Sequence, residues 1–270
     1  MAGTRAVGRD VHFYLFSEPD QPLGGMRLNP SVTEENFLSM LDILIVATGP
    51  FRVTLRSAGV DLMRTNNLLK SGHYDITPYS RRDTIAITDE QCITRILSKT
   101  KTGRDEPFRA RGFEAAHIFP LSSEEYWVQN GFSRWITNRT GERDAGINSC
   151  QNGLLMQSNI HQNFDGFGFA VNPDDGYKIT CFDKDPFRID GRTLDSICRS
   201  SSGEDGARDE LLRWHFRQAV LANMRGAGEP SFEMDFPPGS DMVGEILSGP
   251  EAGKRMEAEL FSRLNGVSVT

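Results

Sequence analysis

The longest apolar run in this chain, Leu41 to Thr48, is eight residues long and is interrupted by Asp42. A membrane-spanning helix needs about 20 consecutive apolar residues, so no integral membrane protein is expected. The core must instead be assembled from short strands and amphipathic helices brought together from distant parts of the sequence. With 270 residues, of which 38% are hydrophobic and 25% charged, there is enough chain to bury a sizeable core. Met1 to Asp10 carries basic residues but no apolar stretch before a small-residue cleavage site. No secretory signal is read there, and an intracellular location, cytoplasmic or nuclear, is the expectation. The four cysteines, Cys92, Cys150, Cys181 and Cys198, form no Cys-x-x-Cys pair. They read as free and mostly buried thiols, which argues against a zinc knuckle or a disulfide framework.

Three stretches differ in texture. Over residues 1–90, Val11 to Phe16 suits a strand, and Glu18 to Gly25, with Pro19 and Pro22, reads as a loop. Ser31-x-x-Glu34 forms a capping box before Phe37, Leu38, Leu41, Leu44 and Ile45, whose helical spacing is expected to run on to Gly49-Pro50. Phe51, Val53 and Leu55 alternate with polar residues, as do Ile85 and Ile87, giving a small β-rich unit with one helix. Residues 91–185 mix short elements with long polar excursions: a strand over Phe113 to Ile118, a helix capped by Ser122-x-x-Glu125, and a hairpin of Phe167 to Val171 with Tyr177 to Phe182. Residues 186–270 read as a helical, acidic extension, with a helical stripe of Leu212, Phe216, Ala219 and Val220 and a second helix over Glu251 to Leu264. Between these helices, Gly228 to Gly239 is held extended by its prolines. The fold class is therefore α+β and not a βαβ repeat.

Two histidines have chemically suggestive neighbours. His117 ends the strand that runs into Pro120, beside a loop. His161 precedes Asp165 by four residues, and if about Met156 to Asp165 is helical the two project from one face. An imidazole nitrogen and a carboxylate oxygen so placed can share one divalent cation. The plainer reading of the pair is a salt bridge on a helix face, and Asn152-Gly153 alone is a turn dipeptide. His12, His73 and His215 have no partner pattern, and Trp127, Trp135 and Trp214 read as core or interface aromatics.

The first His in Ala-Ala-His-Ile-x-Pro, then Asn-Gly-Leu-Leu, then His-x-x-x-Asp resembles the HNH endonuclease family, the ββα-metal fold. Phe167 to Thr180, Ile189 to Arg192 and Gly226 to Gly239 are similar to the downstream parts of HNH-domain proteins abundant in fungi. The resemblance runs from about residue 90 to the end. It implies a ββα-metal, HNH-like core between the N-terminal unit and the C-terminal extension. It assigns His117 as general base, Asn152 as the residue orienting that base or the metal, and His161 with Asp165 as ligands of one divalent ion (Mg, Mn, Zn or Ni). Such a site suits phosphodiester hydrolysis, which needs a base that ionises near neutral pH and a cation to offset developing negative charge. Arg104, Arg109, Arg111, Arg134, Arg139 and Arg143 flank the motif, and Arg109, Arg111 and Arg134 are the expected phosphate contacts.

The chain departs from the family pattern in three respects. Many members carry an acid or a second His directly before the first His, where this chain has Ala116. Glu114, three residues before His117, is expected on the opposite strand face and so to be a poor substitute. Asn163 replaces the usual apolar residue before Phe-Asp, and the paired-cysteine zinc sites of some members are missing.

Charge limits the partners. The net charge is -7, but residues 201–270 hold 12 acidic and 7 basic residues, leaving the remainder near neutral. The span Lys99 to Asp144 holds eight basic and seven acidic residues, without the surplus of a general DNA binder. Nucleic acid is the leading substrate class. The alternative is an HNH scaffold turned to small-molecule chemistry, such as a cyclase or isomerase of fungal natural-product biosynthesis. A binding protein without catalysis, using its acidic tail as a partner surface, is a third reading.

Overall fold

The structure is a computed structural model that describes residues 5–6, 8–93, 112–139, 145–199, 204–226 and 228. Arg104, Arg109, Arg111 and Arg143, the extended segment beyond Gly228 and the expected helix over Glu251 to Leu264 lie outside those residues. The described part is mixed α+β. No helix among the described residues is long and apolar enough to cross a membrane.

The N-terminal half is built on a five-stranded sheet of order β2-β1-β6-β4-β5. Its strands are β1 (Val11–Leu15), β2 (Pro22–Met26), β4 (Phe51–Leu55), β5 (Val60–Asp61) and β6 (Gly72–Pro78). β1 and β6 run parallel, with Phe13 opposite Tyr74, and the other pairs are antiparallel. Alternation sends Val11, Phe13, Val53, Tyr74 and Ile76 into the core. The expected loop over Glu18 to Gly25 is in its second half the edge strand β2. Pro22 opens the strand, a position where a missing N–H is tolerated. A Cβ at Gly24 would collide with the Met224 carbonyl and the Phe13 ring, so glycine lets this strand approach a helix end. Composition read as turn chemistry is here a close backbone contact.

Helix α1 (Glu34–Leu44) buries Phe37, Met40, Leu41 and Leu44 on one stripe, each contributing about 1.5–3 kcal/mol by burial. Its capping box is formed by Thr33 and Asn36, not by Ser31 and Glu34. Thr33 Oγ1 accepts from Asn36 N–H and Asn36 Oδ1 from Thr33 N–H, both at 3.2 Å. Ser31 is drawn away because its N–H donates to Asp190 Oδ2 at 2.9 Å. The helix stops at Leu44 rather than at Gly49-Pro50. The β-branched Ile45 and Val46 start β3 (Ile45–Ala47), which pairs with β7 (Ile85–Ile87).

The second half holds the antiparallel pair β8 (Phe113–His117) and β9 (Gly153–Gln157), helices α2 (Glu124–Gln129) and α3 (Ser158–Asp165), and the hairpin β10 (Phe169–Asn172) with β11 (Lys178–Cys181). The hairpin turns over Asn172 to Gly176 as its sequence suggests, with Gly176 at φ +61. α2 has no side-chain N-cap bond, so the Ser122 box does not form. Helix α4 (Asp209–Met224) joins the two halves. Leu211 and Leu212 pack with Phe119, Trp127, Leu154 and Phe164, whereas Phe216, Ala219, Val220 and Met224 pack with Phe13, Phe37 and Leu41. The free cysteines are less buried than expected: Cys181 is buried, Cys92 and Cys198 are half-buried and Cys150 is exposed.

Candidate active site

The β8–β9 ladder has two unlike faces. Phe113, Ala115, Leu155 and Gln157 are exposed, whereas Ala116 and Leu154 are buried against α3 and the aromatic cluster. His117, the last residue of β8, pairs with Gly153 and is half-buried. By strand alternation it shares the outer face with Ala115, while Glu114 shares the inner face with Ala116.

Asn152 continues the ladder past the end of the strand. Its carbonyl accepts from Ile118 N–H at 2.9 Å. Its side-chain Oδ1 accepts from Phe119 N–H at 2.8 Å, and Nδ2 donates to Phe119 O at 3.1 Å and to Ile147 O at 2.8 Å. The side chain is fully buried, and both amide hydrogens are engaged by backbone carbonyls. These bonds fix the chain that leaves His117. Phe119 is well anchored on its other side, with Trp127 and Phe132 at 5.1 Å and Trp214 at 4.4 Å between ring centroids. Gln151, which no sequence pattern singles out, is also fully buried. Its Oε1 accepts from Thr137 N–H at 2.8 Å, and its amide donates to Thr137 Oγ1 and to Glu204 O.

α3 places His161 and Asp165 on one face, as their spacing indicates, although the helix starts at Ser158 rather than near Met156. His161 Nε2 lies 3.1 Å from Asp165 Oδ2, and the side chains are 8% and 11% exposed. The other ring nitrogen, Nδ1, lies 2.8 Å from Glu114 Oε2. Glu114 lies on the strand face opposite His117, as expected, and because α3 packs on that face its neighbour is His161. The imidazole is held between two carboxylates. Its pKa is raised above the usual histidine value, first by the hydrogen bond to Asp165 and then by that to Glu114, against a lowering from burial.

A divalent ion of the kind used by HNH enzymes can be tested against these donors. Two ligands of a tetrahedral zinc at ordinary bond lengths stand about 3.3 Å apart, close to the 3.1 Å between Nε2 and Oδ2. The donor types, imidazole and carboxylate, suit Zn²⁺ or Mn²⁺, so the pair fits as a two-donor seat. Among the described residues no group of three His, Cys, Asp or Glu side chains converges on a metal position, and Ala116 supplies no donor.

Arg134 is exposed, with its guanidinium 4.7 Å above the Trp135 ring and Nη1 donating to Asn130 O at 3.4 Å. Arg139 donates to Ser133 O. His215, read as an ordinary residue of an amphipathic helix, is fully buried. It stacks on Phe164 of α3 at 3.8 Å between centroids and lies 3.3 Å from the Phe164 carbonyl.

Two family matches cover most of the first 172 residues. Residues 8–83 match a domain of unknown function, DUF8573, and residues 92–172 match the HNH endonuclease family. No curated protein and no solved structure matches the chain. The second match contains His117, Asn152, His161 and Asp165 within its bounds, so that residues 92–172, about a third of the chain, are similar to the HNH endonuclease family.

Proposed function

We propose that this chain is a metal-dependent phosphodiester hydrolase acting on nucleic acid, with a ββα-metal core formed by β8, β9 and α3. The observation that carries the reading is the packing of α3, with His161 and Asp165, against the strand that ends in His117. His117 accepts a proton from the attacking water, a role suited to an imidazole that ionises near neutral pH. Asn152 holds the turn after His117 so that the imidazole keeps one position at the strand end. His161 and Asp165 would hold a divalent ion, which would supply Lewis acidity for phosphodiester hydrolysis. Arg109, Arg111 and Arg134 are the phosphate contacts, and the near-neutral charge of this region favours a few placed arginines over a broad basic surface.

The test is cleavage of supercoiled plasmid and of single-stranded DNA and RNA in the presence of Mg²⁺, Mn²⁺, Zn²⁺ or Ni²⁺. His117→Ala is expected to lower the cleavage rate by about 10²–10⁴-fold, the usual contribution of a positioned base. Cleavage by His117→Ala at the wild-type rate, or none by wild type with any of the four ions, refutes the proposal.

A further inference from the structure

The carboxylate of Glu114 is absorbed neither by the motif nor by the mechanism above, yet it makes a closer contact with His161 than Asp165 does. Its Oε2 lies 2.8 Å from Nδ1, against 3.1 Å between Asp165 Oδ2 and Nε2. The two nitrogens of an imidazole point to roughly opposite sides of the ring, so Glu114 and Asp165 stand on either side of it. A cation shared by Nε2 and Asp165 therefore lies beyond the reach of Glu114. This agrees with the lack of any three-residue metal group among the described residues.

We propose that Glu114 is a positioning residue that accepts the Nδ1–H of His161 and thereby presents the Nε2 lone pair toward Asp165 for metal binding. The proposal rests on the reading of His161 and Asp165 as the metal donors. A neutral imidazole has one N–H and one lone pair, and the partner of one nitrogen decides which form the other takes. A carboxylate on the far nitrogen also orients the ring and raises its basicity as a ligand. Both effects matter more here than in a site with three or four protein ligands, because among the described residues two donors share the hold on the ion. The scaffold supports the role. Glu114 sits within β8, whose pairing with Met156 fixes its backbone, and His161 is held on a helix anchored through Phe164 to α4.

The probe is Zn²⁺ alone, titrated calorimetrically into the full-length protein, with ¹⁵N-histidine NMR of the loaded form to show which ring nitrogen carries hydrogen. Wild type should show His161 protonated at Nδ1 with zinc on Nε2. Glu114→Ala should bind zinc about 10–100-fold more weakly, the range for loss of such a partner, whereas Glu114→Gln, which keeps an acceptor oxygen, should recover part of that loss. Wild-type affinity in Glu114→Ala overturns the proposal, as does zinc on Nδ1. Loss of binding in Glu114→Gln as complete as in Asp165→Ala makes Glu114 a direct ligand and overturns it too. If Glu114→Ala does not fold, the wild-type spectrum and the Gln variant decide. Failure of wild type to bind zinc removes the premise and overturns the proposal. Intact zinc binding without cleavage of any nucleic acid leaves the role of Glu114 standing and refutes the nuclease reading alone.

Discussion

Replacing Asn152 tests whether the site depends on a backbone clamp. Asn152→Ala deletes three buried hydrogen bonds and leaves Phe119 N–H, Phe119 O and Ile147 O without that partner. Each such bond is worth about 1 kcal/mol net, and each buried group left unsatisfied costs about 1–3 kcal/mol. A loss of about 3 kcal/mol is the lower end of the expectation, and for a chain of this size it lowers the melting temperature by about 6–12 °C. Asn152→Asp is the sharper variant because it leaves no cavity. One oxygen still accepts from Phe119 N–H, while the other faces the Phe119 and Ile147 carbonyls in place of a donor. Aspartate should therefore destabilise at least as much as alanine, the reverse of what size alone would give. Urea unfolding measures both variants, and amide hydrogen exchange at Phe119 should accelerate in each. Asn152→Asp with wild-type stability, or unchanged exchange at Phe119, would show that the amide does not hold this turn.

Three further outcomes follow from single contacts. Gly24→Ala should destabilise by about 1–3 kcal/mol, as overpacking does, because its Cβ meets the Met224 carbonyl and the Phe13 ring; wild-type urea stability would count against that approach of β2 to α4. Burial raises the Tyr74 phenol from the ordinary 10.0 to about 12, and its hydroxyl donates to Lys70 O at 2.6 Å. A pKa raised in the folded state contributes stability that is complete below the unfolded value and is lost as pH rises through the folded one. The stability gap between wild type and Tyr74→Phe should therefore narrow between pH 10 and pH 12, and a gap that stays constant there contradicts the assignment. Iodoacetamide at pH 8 should label the exposed Cys150 well before Cys181. The Cys181 thiol is held far above the usual thiol range by burial and by Asp185, Asp190 and Asp183, so equal labelling rates by mass spectrometry would refute that environment.

What could be read from the sequence was local, and what could not depended on distant partners. The stripe of α1 and the pairing of His161 with Asp165 follow from helical spacing, which carries its own geometry. The start of α1 was misplaced because two overlapping boxes satisfy the same pattern. The choice between them is made by Asp190, far along the chain, which captures the Ser31 N–H. β2 was hidden because Pro22, Gly24 and Gly25 have turn composition, and only the end of α4 explains the glycine. Asn152 was recognisable as part of a motif, but its partners are backbone groups of Phe119 and Ile147, which no side-chain pattern reveals. Glu114 was legible in principle. Strand parity places it with Ala116 on the inner face, and asking what packs on that face, rather than where His117 points, would have led to His161.

The matched HNH segment does not hold α3 by itself. The aromatic side chain that anchors α3, Phe164, stacks on His215 of α4, outside residues 92–172. The C-terminal end of α3 is held from the other terminus. Arg5 donates to the carbonyl of Gly166, next to Asp165, at 2.8 Å and to Asn223 Oδ1 of α4 at 2.7 Å. Arg9 then closes the end of α4 by donating to the Asn223 and Gly226 carbonyls, where a cation also favours the negative end of the helix dipole. Because α4 contributes one end to each hydrophobic cluster, a shift of this helix against the N-terminal sheet would carry Phe164 and α3 with it, and so change how His161 and Asp165 sit against β8 and Glu114. The N-terminal sheet, α4 and the arginines that join them are in this sense part of the site.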